Sequence, residues 1–498
     1  MFSAPRKILF FLIMLLSLSP LQMAVATNTD ADLGDVRRLP EFTSHHGVLK
    51  ATLVAQETPV TLGKVAVSAM TFNGEYGGPV LRVHPGDTLK IRLVNQLKLP
   101  INLHFHGYHG SPLAHGDNVL VVVLPGESFD YRLTIPTDQP PGLYWYHTHI
   151  HGISEEEVGR GLSGAWIVEG VDQRAPEVAG LRSRLMVLKS FNVDRPDDPE
   201  VKRLHGVIQS INGGTETLIA ATGGQTEFWR VSNQSANDYF HLSAKGLSFR
   251  VLALDGNVVA QETGVDTLDL PPGGRMEVMV DMPKEGGHFT LQSGATPTGL
   301  GRNLKTSRTL ADIAVSPADG IAPAPAPSGL LSHASLLPDL RQVGLTGKRD
   351  IVFGQVPGEE VYQIDGKSYA HDRMDQRIAL GSIEEWTVHN TTQDMHVFHI
   401  HQIHFQVVAI NDKPVDGLLY LDTVRVPEGG TVTLRMAFTD PKIVGRFVYH
   451  CHVLKHEDKG MMANIEIYDP KAPATSDVLG KRSGIFGLPI CWPKKAAS

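Results

Sequence analysis

His450-Cys451-His452-Val453-Leu454-Lys455-His456-Glu457-Asp458-Lys459-Gly460-Met461 is the stretch that decides how the rest of the chain is read. The run Gly445-Arg446-Phe447-Val448-Tyr449 leads into it with apolar and β-branched residues, which predicts that its first three residues end a β-strand. Side chains alternate faces along a strand, so His450 and His452 point one way and Cys451 the other. Adjacent residues thereby address two different centres, linked through the thiolate. On the thiolate side, His456 and a weak thioether from Met461 join Cys451. With one more imidazole they make the two-His, one-Cys, axial-Met set of a copper electron-transfer site. A histidine-rich strand end without metal accounts for any one of these residues, but not for the spacing of all five.

The chain has 498 residues and a net charge of −8. That length predicts about three domains of ordinary size. Residues 1–26 read as a removable signal peptide: Arg6 and Lys7, an apolar run from Ile8 to Leu18, then Ala24-Val25-Ala26 for cleavage. The expectation is export to the periplasm or the extracellular space by the general secretory route rather than the twin-arginine one. No other stretch is apolar for long enough to span a membrane. No basic block stands out, which makes nucleic acid and anionic membranes poor partners. Of the two cysteines, Cys451 is claimed as a ligand, so Cys491 has no partner and no disulfide framework holds the fold.

Short β-branched runs punctuated by turn signals predict an all-β chain. The expected divisions are a first domain over residues 45–170, a second over 182–316, a Pro/Ala-rich linker over 317–345, a third domain over 346–470 and a tail over 471–498. Within the tail, Ser483 to Trp492 forms a small apolar patch expected to pack on a domain surface. The first domain carries His104-Phe105-His106-Gly107 and His147-Thr148-His149, two pairs at i and i+2 that each share a strand face. Two such pairs in one domain are hard to explain as packing, and metal ligation is favoured. In the third domain His399 and His401 again share a face, while His396 lies an odd number of residues away and can supply the missing imidazole. His45, His46, His84, His109, His115 and His151 have no partner at ligand spacing and stay unassigned. The isolated His241 reads as a buried structural group, and the second domain as a copper-free spacer.

Taken together, the four clusters resemble the copper signatures of the multicopper oxidase family, in its laccase-like three-domain bacterial branch. The resemblance runs from about His45 to Asp469 and implies three cupredoxin-like Greek-key β-barrel domains. It implies four copper ions: a type 1 copper on His396, Cys451, His456 and Met461; a type 2 copper on His104 and His399; and two type 3 coppers, one on His106, His147 and His452, the other on His149, His401 and His450. It further implies one-electron oxidation of phenolic or aromatic-amine donors, or of low-valent metal ions, with dioxygen reduced to water. Catalytic roles fall to Cys451 as the electron link and to Asp117 as the acid that serves oxygen reduction, with Glu457, beside His456, next in line. The methionines are scattered rather than gathered in the insertion that cuprous oxidases of the family carry, which weakens a dedicated Cu(I) role. Asp394, two residues before His396, could take a phenol proton; a solvated turn acid is an equal reading. Two alternatives stay open: a metallo-oxidase for Cu(I), Fe(II) or Mn(II) in metal tolerance, and a non-catalytic cupredoxin-fold structural or copper-binding protein. The oligomeric state is not fixed by the sequence.

Overall fold

Alternation builds the sheets. In Thr431–Phe438 and Thr88–Asn95 every second side chain is buried and those between face outward, as expected of strands with one face on a core. The computed structural model describes residues 35–195, 197–297, 303–304, 307–318, 333 and 337–472. Its larger sheets form three pairs, each around its own apolar core. In the first, a five-stranded sheet runs from Glu41–Thr43 through Val80–Val83, Ser163–Val168 and Gly142–His147 to His104–His106. Its companion has four strands, with Val48–Leu62 and Thr88–Asn95 at the centre. The middle pair has six and five strands, and Arg275–Asp281 lies inside the larger sheet. In the last pair, a seven-stranded sheet faces a five-stranded one ordered Gln376–Ala379, Met462–Tyr468, Gly445–Cys451, His396–Ile400 and Thr423–Val426.

None of these sheets closes, which corrects the expectation of Greek-key β-barrels. Each strand order is an open path, with Tyr420–Leu421 branching from that of the seven-stranded sheet, so each cupredoxin-like unit is a sandwich of open sheets. Alternation could not have told the two apart, because it records which face is buried and not whether the first strand bonds to the last. Short strands stand at several edges, among them Glu41–Thr43 and Lys413–Pro414, which leave little ladder open for further pairing.

The strands that carry the histidine clusters break the alternation. His104–His106, Gly142–His147 and His396–Ile400 are buried along their whole length. Their second face is covered because the first and last sandwiches meet there: His149 and His450 approach each other, and the Gln402 amide donates to Asp117. The signal peptide, Cys491, the 483–492 patch and most of the Pro/Ala linker lie outside the described residues.

Candidate metal centre

Register brings the histidines together. On one antiparallel ladder His104 pairs with His147; on another His399 pairs with His450 and Phe398 with Cys451. Cys451 therefore turns into the apolar core of the last sandwich, shared with Met461, while its neighbours His450 and His452 turn to the interface.

On the Cys451 side, the sulfur lies 3.5 Å from His396 Nδ1 and 3.7 Å from His456 Nδ1, and the two nitrogens are 3.0 Å apart. His396 Nε2 is 2.9 Å from the Thr392 hydroxyl. With the ring proton on that nitrogen, the Nδ1 lone pair faces the sulfur. Val397 N–H donates to the thiol sulfur at 3.4 Å, and the Tyr362 ring stacks on His456 at 4.1 Å. Met461 is fully buried in the same core, and its carbonyl accepts from the Cys451 N–H. Burial pushes the Cys451 thiol up to about 12, a cost that a bound cation removes by holding the thiolate.

On the other face eight imidazoles converge. His149, His401 and His450 form one group, with Nε2 of His450 3.1 Å from that of His149 and 3.2 Å from that of His401. His104, His399 and His401 form a second. The His104 ring stacks on His401, and His106 on His399. His106 lies edge-on to His452 at 4.9 Å, and His147 stands 5.7 Å from His452.

These nitrogens fit copper. His104 Nδ1 is bonded to Asp117, His147 Nδ1 to the Thr148 carbonyl and His399 Nδ1 to the Asp422 carbonyl. Each bond fixes the tautomer that leaves an Nε2 lone pair. The Nε2 atoms of His104, His106, His147 and His399 are buried without a hydrogen-bond partner, as is Nδ1 of His401 and both nitrogens of His452. Orphaned buried nitrogens are costly unless something binds them. Burial, reinforced by neighbouring imidazoles, holds seven of them well below the usual histidine range and burial lowers His399 to about 4 against the Asp422 charge, so they are neutral and ready to ligate.

Comparison with known proteins agrees with this geometry. Multicopper oxidase family models match residues 54–173, 195–317 and 339–471, together most of the chain. The chain belongs to the multicopper oxidase family. It is an oxidoreductase whose thiolate-centred group and histidine cluster correspond to a type 1 copper and a trinuclear copper site. The oxidase is 24% identical to the multicopper oxidase mco of Staphylococcus haemolyticus (strain JCSC1435), over 85% of this chain and 89% of that one. It is 27% identical to the cell division protein FtsP of Rahnella sp. (strain Y9602), over 81% and 86%. A solved multicopper oxidase from Campylobacter jejuni, described as a metallo-oxidase, superposes with a TM-score of 0.73 at 26% identity, covering 87% of this chain and 95% of that one.

Around the histidines the oxidase places groups of two kinds. Asp117 is buried and receives Phe105 N–H at 2.9 Å and the Gln402 amide at 2.7 Å, besides His104 Nδ1 at 3.0 Å. Burial pushes its carboxyl up to about 7 against those bonds. Glu457 does not face His456, its neighbour in sequence. It turns inward, with Oε2 3.2 Å from His450 Nδ1 and Oε1 3.6 Å from His149 Nδ1, and accepts from the Ser154 hydroxyl. Burial drives it well above the ordinary carboxyl range.

Asp422 and Arg275 carried no signal in the sequence, yet both reach the cluster. Gln402, held at φ +67°, was equally silent. Of the unassigned residues, His109 packs on His404 at 4.2 Å, and His404 in turn lies 3.4 Å from Asp422. His151 stands with Glu457 and Asp458. His241 is half-buried rather than buried and pairs with Asp269, because Phe240–Ala244 alternates and His241 lies on its outer face. Asp394 accepts through its backbone carbonyl from Asn390 at a turn, and its charge bears on Tyr362.

Proposed function

We propose that this oxidase takes electrons singly from small donors, either phenolic and aromatic-amine molecules or low-valent metal ions, at a type 1 copper on His396, Cys451, His456 and Met461. Type 2 copper is assigned to His104 and His399. The type 3 pair is assigned to His106, His147 and His452 and to His149, His401 and His450. Bound there, copper supplies one-electron transfer at the first site and the four-electron reduction of dioxygen to water at the other three. The observation that carries the reading is the position of Cys451, whose sulfur faces His396 and His456 while the residues on either side of it enter the histidine cluster. Electrons thus cross through one residue rather than through solvent. His396 and His456 are wholly buried, His456 beneath Tyr362, so the donor hands its electron across covering side chains.

A dedicated metallo-oxidase is the second reading. The Asp394 charge near Tyr362 and the likeness to the Campylobacter jejuni metallo-oxidase support it. Oxygen uptake by copper-loaded protein, measured with Cu(I), Fe(II), Mn(II) and a phenol panel, separates the two. Full copper loading without oxygen uptake for any of these donors would leave a binding protein instead. Export, inferred from residues 1–26, is tested by the processed N-terminus of protein recovered outside the cytoplasm.

A further inference from the structure

The middle domain supplies no histidine to the groups described above, yet Arg275, at the start of Arg275–Asp281, is fully buried against them. Its guanidinium grips Asp422 of the last domain through two bonds, Nη1 to Oδ1 at 2.6 Å and Nη2 to Oδ2 at 2.7 Å. Asp422 in turn meets two of the cluster's imidazoles. Its Oδ1 is 3.4 Å from His106 Nδ1, and its backbone carbonyl is 2.6 Å from His399 Nδ1.

The proton count decides what this does to His106. Its Nδ1 lies 3.3 Å from Arg275 Nη1 and could in principle accept from it, which would put the ring proton on Nε2 and abolish ligation. Nη1 has two hydrogens, and both have better acceptors: Gly273 O at 3.0 Å and Asp422 Oδ1 at 2.6 Å. His106 Nδ1 must therefore carry its own proton toward Asp422, and the lone pair falls to Nε2, which has no protein partner. Both Asp422 oxygens already accept from the guanidinium, so the carboxylate receives a proton contact from His106 rather than donating one. The same segment also packs its backbone on the cluster. Gly273 has φ +85°, and a Cβ there would lie 3.0 to 3.1 Å from the His452 ring.

We propose that Arg275 is a positioning residue of the trinuclear site: clamped on Asp422, it sets the ligating tautomer of His106 and, through the Asp422 backbone, the orientation of His399. The proposal rests on the copper assignment above but not on the choice of donor, and its test uses none. Full-length Arg275→Lys, which keeps the charge but loses the fork, and Arg275→Gln are loaded with copper and titrated with a chelator. Copper per chain, the blue band and the Cu(II) paramagnetic resonance are followed. Replacing such an outer partner typically weakens metal retention about 10- to 100-fold. The expected result is loss of trinuclear copper at about 10- to 100-fold less chelator, with the blue band retained at the parent concentration. Arg230→Gln, which breaks a different buried pair of the same domain, Arg230 with Glu277 at 3.0 Å, is expected to keep parent retention at both sites. Arg275→Lys with parent spectra and parent retention overturns the proposal. So does parallel loss of the blue band and the trinuclear signals, which marks a role in folding alone. Should the Gln variant fail to fold, the Lys variant decides by the same readings.

Discussion

Glu457→Gln should separate proton supply from metal binding, because the cavity accepts the amide with one flip. The Ser154 hydroxyl has one hydrogen and two acceptors within reach, Glu457 Oε1 at 3.2 Å and the Ile150 carbonyl at 3.0 Å. Having that second acceptor, it can receive from the new amide nitrogen instead. The amide oxygen then takes the place of Oε2, 3.2 Å from His450 Nδ1. His450 Nδ1 keeps the Cys451 carbonyl at 3.0 Å, so its tautomer survives. What is lost is a carboxyl group that burial pushes well above its ordinary range and that sits between two imidazoles of the cluster. General acid work of this kind contributes about 10²- to 10⁴-fold, so reoxidation by oxygen should slow by about that factor. Copper content and the rate of reduction by a donor should stay near the parent values. Stopped-flow mixing of fully reduced protein with oxygen reads the first, and anaerobic mixing of oxidised protein with donor reads the second. Asp117→Asn is the informative comparison. Three N–H groups point into that carboxylate, which suits orienting His104 more than giving up a proton. If Glu457→Gln reoxidises at the parent rate with full copper loading, while Asp117→Asn does not, the proton comes through Asp117 and the reasoning from contacts is wrong.

Cys451→Ser should abolish the blue band and donor oxidation while the trinuclear coppers remain, since a hydroxyl cannot replace the soft thiolate; a blue variant that turns over refutes the electron link. Met461→Leu should keep the colour and raise the reduction potential, because a weak donor to Cu(II) is removed, with Met462→Leu as the control. A shift confined to the control would move the axial ligand by one residue. Lys189, buried between the first and middle domains, donates to Gly161 O at 3.1 Å and to the Ser163 hydroxyl, and burial lowers its ammonium from 10.5 to about 7. The unfolded chain therefore binds this proton more tightly than the folded one, and stability should rise as pH climbs from about 7 toward 10.5. At ~1.4 kcal/mol per unit the buried amine costs at most ~5 kcal/mol, and Lys189→Met should recover part of it. Its melting temperature should exceed the parent's at pH 7, with the two curves converging by pH 10; parallel curves would refute the assignment.

The clustering of the histidines and Cys451 was legible because side-chain direction on strands follows a local grammar. An i, i+2 spacing puts two imidazoles on one face, and an odd spacing puts Cys451 on the other, whatever the rest of the fold does. His450-Cys451-His452 could therefore be read without knowing that His399 pairs with His450. Direction along a helix was less legible. Glu457 follows His456 in sequence, but Leu454–Asp458 is a short helix, and neighbours about 100° apart on a helix face different centres. Nothing in the sequence could have linked Arg275 to Asp422, which are 147 positions apart and carried by different domains. An arginine opening a strand reads as solvated, and an aspartate before Thr423-Val424 reads as a turn. Their meaning comes only from burial, and a buried ion pair is weak evidence for stability. It is better evidence for geometry: a fully buried guanidinium whose two Nη1 hydrogens are taken up by Gly273 and Asp422 leaves one tautomer to His106. By that argument the middle domain fixes a proton at the site as well as separating the two domains that carry the ligands.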